Sequence, residues 1–533
     1  MAQVSYFQLL LIGLLFAVAA VAGLARRLAV SYAIVLVIFG LLCSIFPHIP
    51  RIPLPPRIVF LVILPPLLYV AAWKTSWREF KYHLASISGL AVLLVFFTAF
   101  GVAYAAQWLL PGFNWQLGFL LGAVVSPTDA VAATTIARRV GMPQRILDLL
   151  EGESLLNDAT GLLALQLGVE MVVHGTTPTI GSGVLEFAWL TVGGVFVGLM
   201  IGLIVTWLER WVDDGPVEIA LSLIVPYAAY LVGDAMKSSG VIAVVVCGLF
   251  VSRQSSTFFS PGVRLQTMAV WDALEFLLNG LVFVLIGLQL PYVLDGIYGD
   301  SKLSLLVYGL AFSSGLVVLR MAWMYPATVA GWWVRTRVAK QNYDRPKSNQ
   351  IFVVGWTGMR GVVALAAANS LPLTLDDGRP FPQRSFIIFL TFSLILVTLV
   401  LQGLSLPWLV QVLGLSVRNT QFCEEGEARR LLSQAAIDFL GERGSLVETE
   451  SEKHLYDDLV HYYEHKLEEV IECGPDELSR EQVVAGLTMN NLLLDAIRRE
   501  REELNVLRGN GRIGDSVHRN LERELDLSES RLA

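Results

Sequence analysis

Two acids in the first half of this 533-residue chain stand where an acid is costly. Asp129 lies in Ser126-Pro127-Thr128-Asp129-Ala130 and Asp158 in Gly152-Glu153-Ser154-Leu155-Leu156-Asn157-Asp158-Ala159, each within an apolar stretch long enough to cross a bilayer. A carboxylate at the membrane midplane is destabilising by several kcal/mol unless it is protonated or holds a cation. Its stable states are two, proton on or metal ion on, and a group that alternates between them can exchange a cation for a proton. Ser154 and Asp158 are four apart and share one helix face, with Glu153 and Asn157 on a neighbouring face. Two carboxylates, the Ser154 hydroxyl and carbonyls freed where a helix unwinds at Pro127 and Thr128 form an all-oxygen donor set suited to a hard monovalent cation. Ligation and protonation then compete for the same oxygens.

The elements that must hold these residues are membrane helices. The chain is 54% hydrophobic and 16% charged, with mean hydropathy +0.59, where a soluble domain carries about 25% charged residues. About thirteen apolar runs of spanning length are centred near Leu14, Val37, Leu64, Val95, Leu120, Leu162, Phe196, Tyr227, Val245, Val282, Val317, Leu365 and Ile395. One set of alternate loops holds seventeen Lys and Arg residues and the other six, which places the N-terminus outside and the C-terminal tail in the cytoplasm. The first apolar run lacks a basic leader and is followed by Arg26-Arg27, the pattern of a retained span with its N-terminus outside.

Two of these runs are interrupted at mid-depth. The fifth contains Pro127 in its polar tetrapeptide; the twelfth contains Gly355, Gly358 and Gly361 around Thr357 and Arg360. An odd offset between them makes the two run in opposite directions, as two inverted six-segment units joined by a linker segment would. Asp129 lies about 13 residues into its run and Asp158 about 13 into the next, roughly 20 Å along each helix at 1.5 Å per residue. In a hydrocarbon core of about 30 Å both reach the central region.

These motifs, with Leu64-Pro65-Pro66-Leu67 and Gly358-Met359-Arg360-Gly361, resemble the sodium/proton exchanger family of the monovalent cation:proton antiporters over most of residues 5 to 415. The resemblance implies an all-α polytopic fold of about thirteen helices, with two inverted six-helix repeats and crossed broken helices. It implies Asp158 as the carboxylate shared by cation and proton, with Asp129 beside it and Ser154 and the Thr128 carbonyl completing the monovalent-metal site. Asn157, where electrogenic members carry a second aspartate, implies one-for-one electroneutral exchange. Glu153 is implied as structural, paired with a buried arginine for which Arg320 is the choice, and Arg360 as compensation for helix dipoles at the break. In many members an acid follows the Leu-Pro-Pro run; here Leu68-Tyr69-Val70-Ala71-Ala72 offers no ligand from the third segment.

Each residue also has a plainer role. Asp158 can be a permanently paired acid, and Asp129 can serve chiefly as N-cap of the half-helix that restarts after Pro127. Glu153, Arg320 and Arg360 read better as ion-pair scaffolding than as transport ligands. Glu275 and Asn279 line a cavity or make interhelical hydrogen bonds, while Trp73 and Trp77 with Lys74, Arg78 and Lys81 read as an interfacial anchor.

The expected domains are a transmembrane exchanger domain, 1–415, and a cytoplasmic helical domain, 416–533, regulatory or dimer-supporting. The latter holds 15 Lys+Arg and 26 Asp+Glu, so the tail is at −11 and the remainder at +4. Helices are expected over Glu424 to Gly441, Glu452 to Ile471 and Ser479 to Arg508. An acidic tail argues against nucleic-acid binding, and four widely spaced cysteines argue against a disulfide framework or zinc site. The sequence has no nucleotide-binding lysine loop, nucleophile elbow or paired metal-binding histidines, so no enzyme and no cofactor is expected, and transport must run on another gradient. The function expected is secondary antiport of Na⁺, or Li⁺, for H⁺ by alternating access in the plasma (inner) membrane, by a lipid-embedded homodimer. The alternatives are K⁺/H⁺ antiport on the same fold and a membrane sensor signalling through the tail. No ring of filter residues supports a channel.

Overall fold

The computed structural model describes residues 2–27, 31–46, 55–175, 179–212, 214–295, 302–338, 345–415, 420–445, 450–468, 494–507 and 515–532, with 510 and 512. Among them the chain is helical, apart from turns and one isolated bridge between Thr374 and Pro380. It forms two compact units, Met1–Ser416 and Val417–Ala533.

The first unit comprises α1 (Ala2–Arg27), α2 (Tyr32–Ser44), α3 (Pro56–Lys74), α4 (Trp77–Ser88), α5 (Gly89–Leu109), α6 (Trp115–Val125), α7 (Ala130–Val140), α8 (Gln144–His174), α9 (Ile180–Glu209), α10 (Gly215–Ala235), α11 (Gly240–Phe258), α12 (Pro261–Leu288), α13 (Leu290–Asp295), α14 (Lys302–Trp333), α15 (Ser348–Trp356), α16 (Val362–Asn369) and α17 (Arg384–Val412). Among the described residues eight helices are long and apolar enough to cross a membrane by themselves, and α6 with α7 passes the same test as one span bent by 42°. Shorter apolar stretches cover Ile12–Ala25, Tyr32–Ser44 and Gly240–Ser255. Every apolar centre read from the sequence falls inside one of these helices.

The helices sort into two groups. α1, α2, α3 and α9 to α12 pack on one another, while α5 to α8 pack with α14 to α17. Small residues let helices in each group approach closely, as membrane packing favours. A Cβ on Gly118 would come within 2.8 Å of the Ala103 Cα, and one on Gly122 within 2.6 Å of the Ala99 Cα, so α6 lies directly on α5. The second group, a bundle around both helix breaks, contains Asp129 and Asp158.

α3 reaches its length through a π-helical stretch, Val59–Ile63, just before Pro65-Pro66. Proline lacks an N–H, so the carbonyls one turn upstream lose their usual donors and the local winding widens. The polar connection around Trp73 and Trp77 is more engaged than a surface anchor. The Trp73 ring packs against Tyr69 and Phe259, and Lys74 Nζ lies 2.6 Å from both Asp272 and Glu275 on α12. Trp77 remains exposed on α4. Glu275 is thus an ion-pair partner, and Asn279, one turn on, is buried with no partner for its Nδ2 among the described residues.

The second unit contains α18 (Thr420–Gly444), α19 (Glu450–Glu468), α20 (494–507) and α21 (Asp515–Leu532). Residues 469–471, 479–493 and 508 of the expected tail helices lie outside the described residues. α18 and α19 pack as a hairpin, with Gly444 against Tyr456. The periodic apolar residues Leu455, Leu459, Tyr462, Tyr463, Leu467 and Val470 predict a packed face; the first three are exposed, Tyr463 and Leu467 are half-buried, and Val470 lies outside the described residues. α20 and α21 are joined by Arg501 to Asp526 and Glu529, and by His518 to Asn505.

Candidate functional site

The first break follows from its residues. α6 ends at Val125, Pro127 cannot donate to the preceding turn, and Asp129 restarts the helix as N-cap, accepting from the Val131 amide at 2.8 Å. The cap role foreseen for Asp129 is therefore filled by one carboxylate oxygen, Oδ1. Gly161 on α8 makes room for the kink, since a Cβ there would come within 2.5 Å of the Pro127 ring. Nothing but its smallness marked Gly161 in the sequence.

The second break spans Thr357 to Gly361, between α15 and α16. The two breaks meet: the Asp129 amide donates to the Met359 carbonyl at 2.9 Å. Arg360 reaches across and donates through Nε to the Val125 carbonyl at 2.8 Å, the last residue of α6. It also donates to the Gly358 carbonyl, and its own amide donates to Thr398 Oγ1 at 3.2 Å. A cation at a helix C-terminus satisfies carbonyls that the ended helix leaves without donors.

Behind the crossing lies a buried ion pair. Arg320 on α14 donates to both Glu153 oxygens, at 2.6 and 3.0 Å, and to the Gly355 and Val354 carbonyls at 3.1 and 3.3 Å. The side chains are 3% and 1% exposed, so all charge compensation is local. From here polar contacts run to the unwound segment. Thr128 Oγ1 donates to Glu153 at 3.2 Å and accepts from Asn157 Nδ2 at 2.6 Å. Ser154 Oγ donates to the Thr128 carbonyl at 2.8 Å and accepts from the Ala130 amide at 3.2 Å.

Asp158 stands apart from this network. It sits near the middle of the 31-residue helix α8, is 6% exposed, and makes no hydrogen bond or ion pair among the described residues. A buried carboxylate without protein donors demands a proton or a cation. Asp158 lies one helical turn beyond Ser154, whose Oγ accepts from the Ala130 amide next to Asp129. Thus Asp129, Ser154, Asn157, Thr128 and Asp158 converge at one place, with Glu153, Arg320 and Arg360 supporting it. No residue type or spacing marks Thr398 as the acceptor of the Arg360 amide, or Met359 as the acceptor of the Asp129 amide. Both depend on which segments cross, and the second uses only backbone.

Comparison with known proteins agrees with the fold and gives the family. The family described as the transmembrane sodium/hydrogen exchanger matches residues 13–412. A Na⁺/H⁺ exchanger of Mycobacterium tuberculosis is 35% identical over 98% of this chain and 97% of its own length. A sodium, potassium, lithium and rubidium/H⁺ antiporter of Bacillus pumilus is 34% identical over 76% of this chain and 61% of its own length. The sodium proton antiporter MjNhaP1 from Methanocaldococcus jannaschii has a similar fold, with a TM-score of 0.59 at 19% identity over 76% of this chain and 99% of that one. With an apolar helical body and two broken helices that cross, the chain is an integral membrane protein that belongs to the sodium/hydrogen exchanger family.

Proposed function

We propose that the protein exchanges Na⁺ for H⁺ by alternating access, with cation and proton competing for Asp158. The observation that carries the proposal is the partnerless, buried Asp158 beside Thr128, Ser154 and Asn157, which bond to one another and leave the buried Asn157 Oδ1 without a donor among the described residues. Protonated, the carboxyl is neutral and compatible with its apolar surroundings. Ionised, it binds a cation together with the Asp129 oxygen not used in capping, Ser154 Oγ and the Thr128 carbonyl. Net charge at the site is the same in both loaded states, and Asn157 adds no second titrating group, so the exchange is electroneutral. Movement of the α5–α8 and α14–α17 bundle against the other helices would expose Asp158 to each side in turn. The distribution of basic loops supports an N-terminus outside and a cytoplasmic tail, and the protein is proposed to work as a homodimer in the plasma membrane.

A second cation reading rests on a relative: the Bacillus pumilus protein is named for sodium, potassium, lithium and rubidium. The test is pH-gradient dequenching in proteoliposomes with Na⁺, Li⁺ or K⁺ added in turn and the membrane potential clamped. Wild-type protein gives a Na⁺-induced signal and Asp158→Asn gives none while its melting is undiminished. A signal with K⁺ alone moves the assignment to K⁺/H⁺ exchange, and equal signals from wild type and variant exclude Asp158 as the shared site.

A further inference from the structure

Gly361 occupies a position where most residues would serve, yet only a residue without a side chain fits. Its backbone, φ −132° and ψ −158°, is ordinary extended chain, so no conformational freedom peculiar to glycine is needed there. It is the N-cap of α16, where Ser, Asp or Asn would cap better. The reason lies across the crossing. A Cβ on Gly361 would strike Asp129, at 2.6 Å from both its Cβ and Cγ and closer still to Oδ2. Oδ2 is the oxygen left over once Oδ1 has accepted the Val131 amide.

The Asp129 side chain is thus held on two sides. The Val131 amide fixes one oxygen, and the bare face of Gly361 sets how far the other extends. Relieving the contact to an ordinary 3.4 Å displaces the carboxyl by roughly 1 Å, beyond the ~0.5 Å within which binding constellations hold their geometry. Because Asp129 and Asp158 supply the two anionic oxygens of the proposed site, a shift of one changes the size of the space between them. Alkali cations differ from one another chiefly in size.

We propose that Gly361 is a specificity-determining positioning residue: it sets the placement of the Asp129 carboxylate, and through it which monovalent cation the site prefers. The inference rests on the reading of Asp158 and Asp129 as the cation site. Gly355, on the same interrupted segment, supplies the control, because a Cβ there meets first the flexible thioether of Met321, at 2.6 Å.

The experiment measures apparent KM for Na⁺, Li⁺ and K⁺ in proteoliposomes for wild type, Gly361→Ala and Gly355→Ala. Gly361→Ala is expected to change the Na⁺:K⁺ or Na⁺:Li⁺ ratio of KM values by at least ~3-fold, with Gly355→Ala leaving both ratios as they are. A uniform loss of rate in Gly361→Ala at constant ratios overturns the proposal, as does an equal change in Gly355→Ala. Should Gly361→Ala not fold, melting of Asp129→Gly is compared with Asp129→Gly/Gly361→Ala, since glycine removes both the carboxyl and the Cβ that the new methyl would strike and is tolerated as an N-cap. Equal melting supports the proposal, and a further large loss in the double variant refutes it. Wild-type activity in Asp158→Asn would remove the underlying site reading, a result separable from any outcome at Gly361.

Discussion

Replacing Arg320 with methionine tests the architecture behind the site. The guanidinium makes two bonds to Glu153 and two to the last carbonyls of α15, in a place where both charged side chains are at most 3% exposed. Methionine fills much of the volume but leaves Glu153 as an uncompensated buried charge, for which the expected loss is about 3–5 kcal/mol of stability. The Arg138–Glu151 pair is the internal comparison, because Arg138 is 53% exposed. Arg138→Met should therefore cost no more than about 1 kcal/mol. Detergent-solubilised protein is unfolded with denaturant and followed by circular dichroism. Glu153→Gln/Arg320→Met is expected to be less destabilised than the two single changes added together, since the pair vanishes together. If Arg320→Met unfolds within about 1 kcal/mol of wild type, the claim that this pair holds the crossing in place is wrong. If its loss is large and purely additive with Glu153→Gln, the arginine acts through the α15 carbonyls and not through the glutamate.

Other expectations concern the site itself. Ser154→Ala removes one bond to the Thr128 carbonyl and one from the Ala130 amide, and should raise apparent Na⁺ KM by about 2- to 12-fold, equivalent to 0.5–1.5 kcal/mol; an unchanged KM in transport assays would exclude Ser154 as a ligand. Competition between cation and proton at one carboxylate requires exchange that peaks or switches with pH and an apparent Na⁺ KM that rises as protons become abundant. Rates measured across acid and alkaline pH at several Na⁺ concentrations check this, and a flat profile would defeat the shared-site mechanism.

Much of this site was legible because membrane burial makes polar residues conspicuous. Pro127 beside two polar residues marked one break, three glycines around an arginine marked the other, and the cost of a buried Glu153 called for a cation such as Arg320. The interlock was not legible. Asp129 and Met359 are joined through backbone atoms, and backbone groups carry no residue code. Nor did periodicity foresee that Lys74 would bind Asp272 and Glu275, because loop basic residues read as surface charge until the facing helix is known. Asp129 shows why a plain role and a chemical one need not compete: one oxygen caps α7 while the other faces Gly361 and the crossing.

The contacts from Asp129 to Met359 and from Arg360 to Val125 act as rivets between two stretches of chain more than two hundred residues apart. Neither broken helix can tilt or slide without dragging its counterpart, so the crossing is a single mechanical part assembled from two distant pieces of the gene. A substitution that reshapes one piece must be answered in the other. Divergence within such a protein is therefore easier at the lipid-facing and tail surfaces than at this joint, and transplanting one broken segment without its mate would yield a mismatched part.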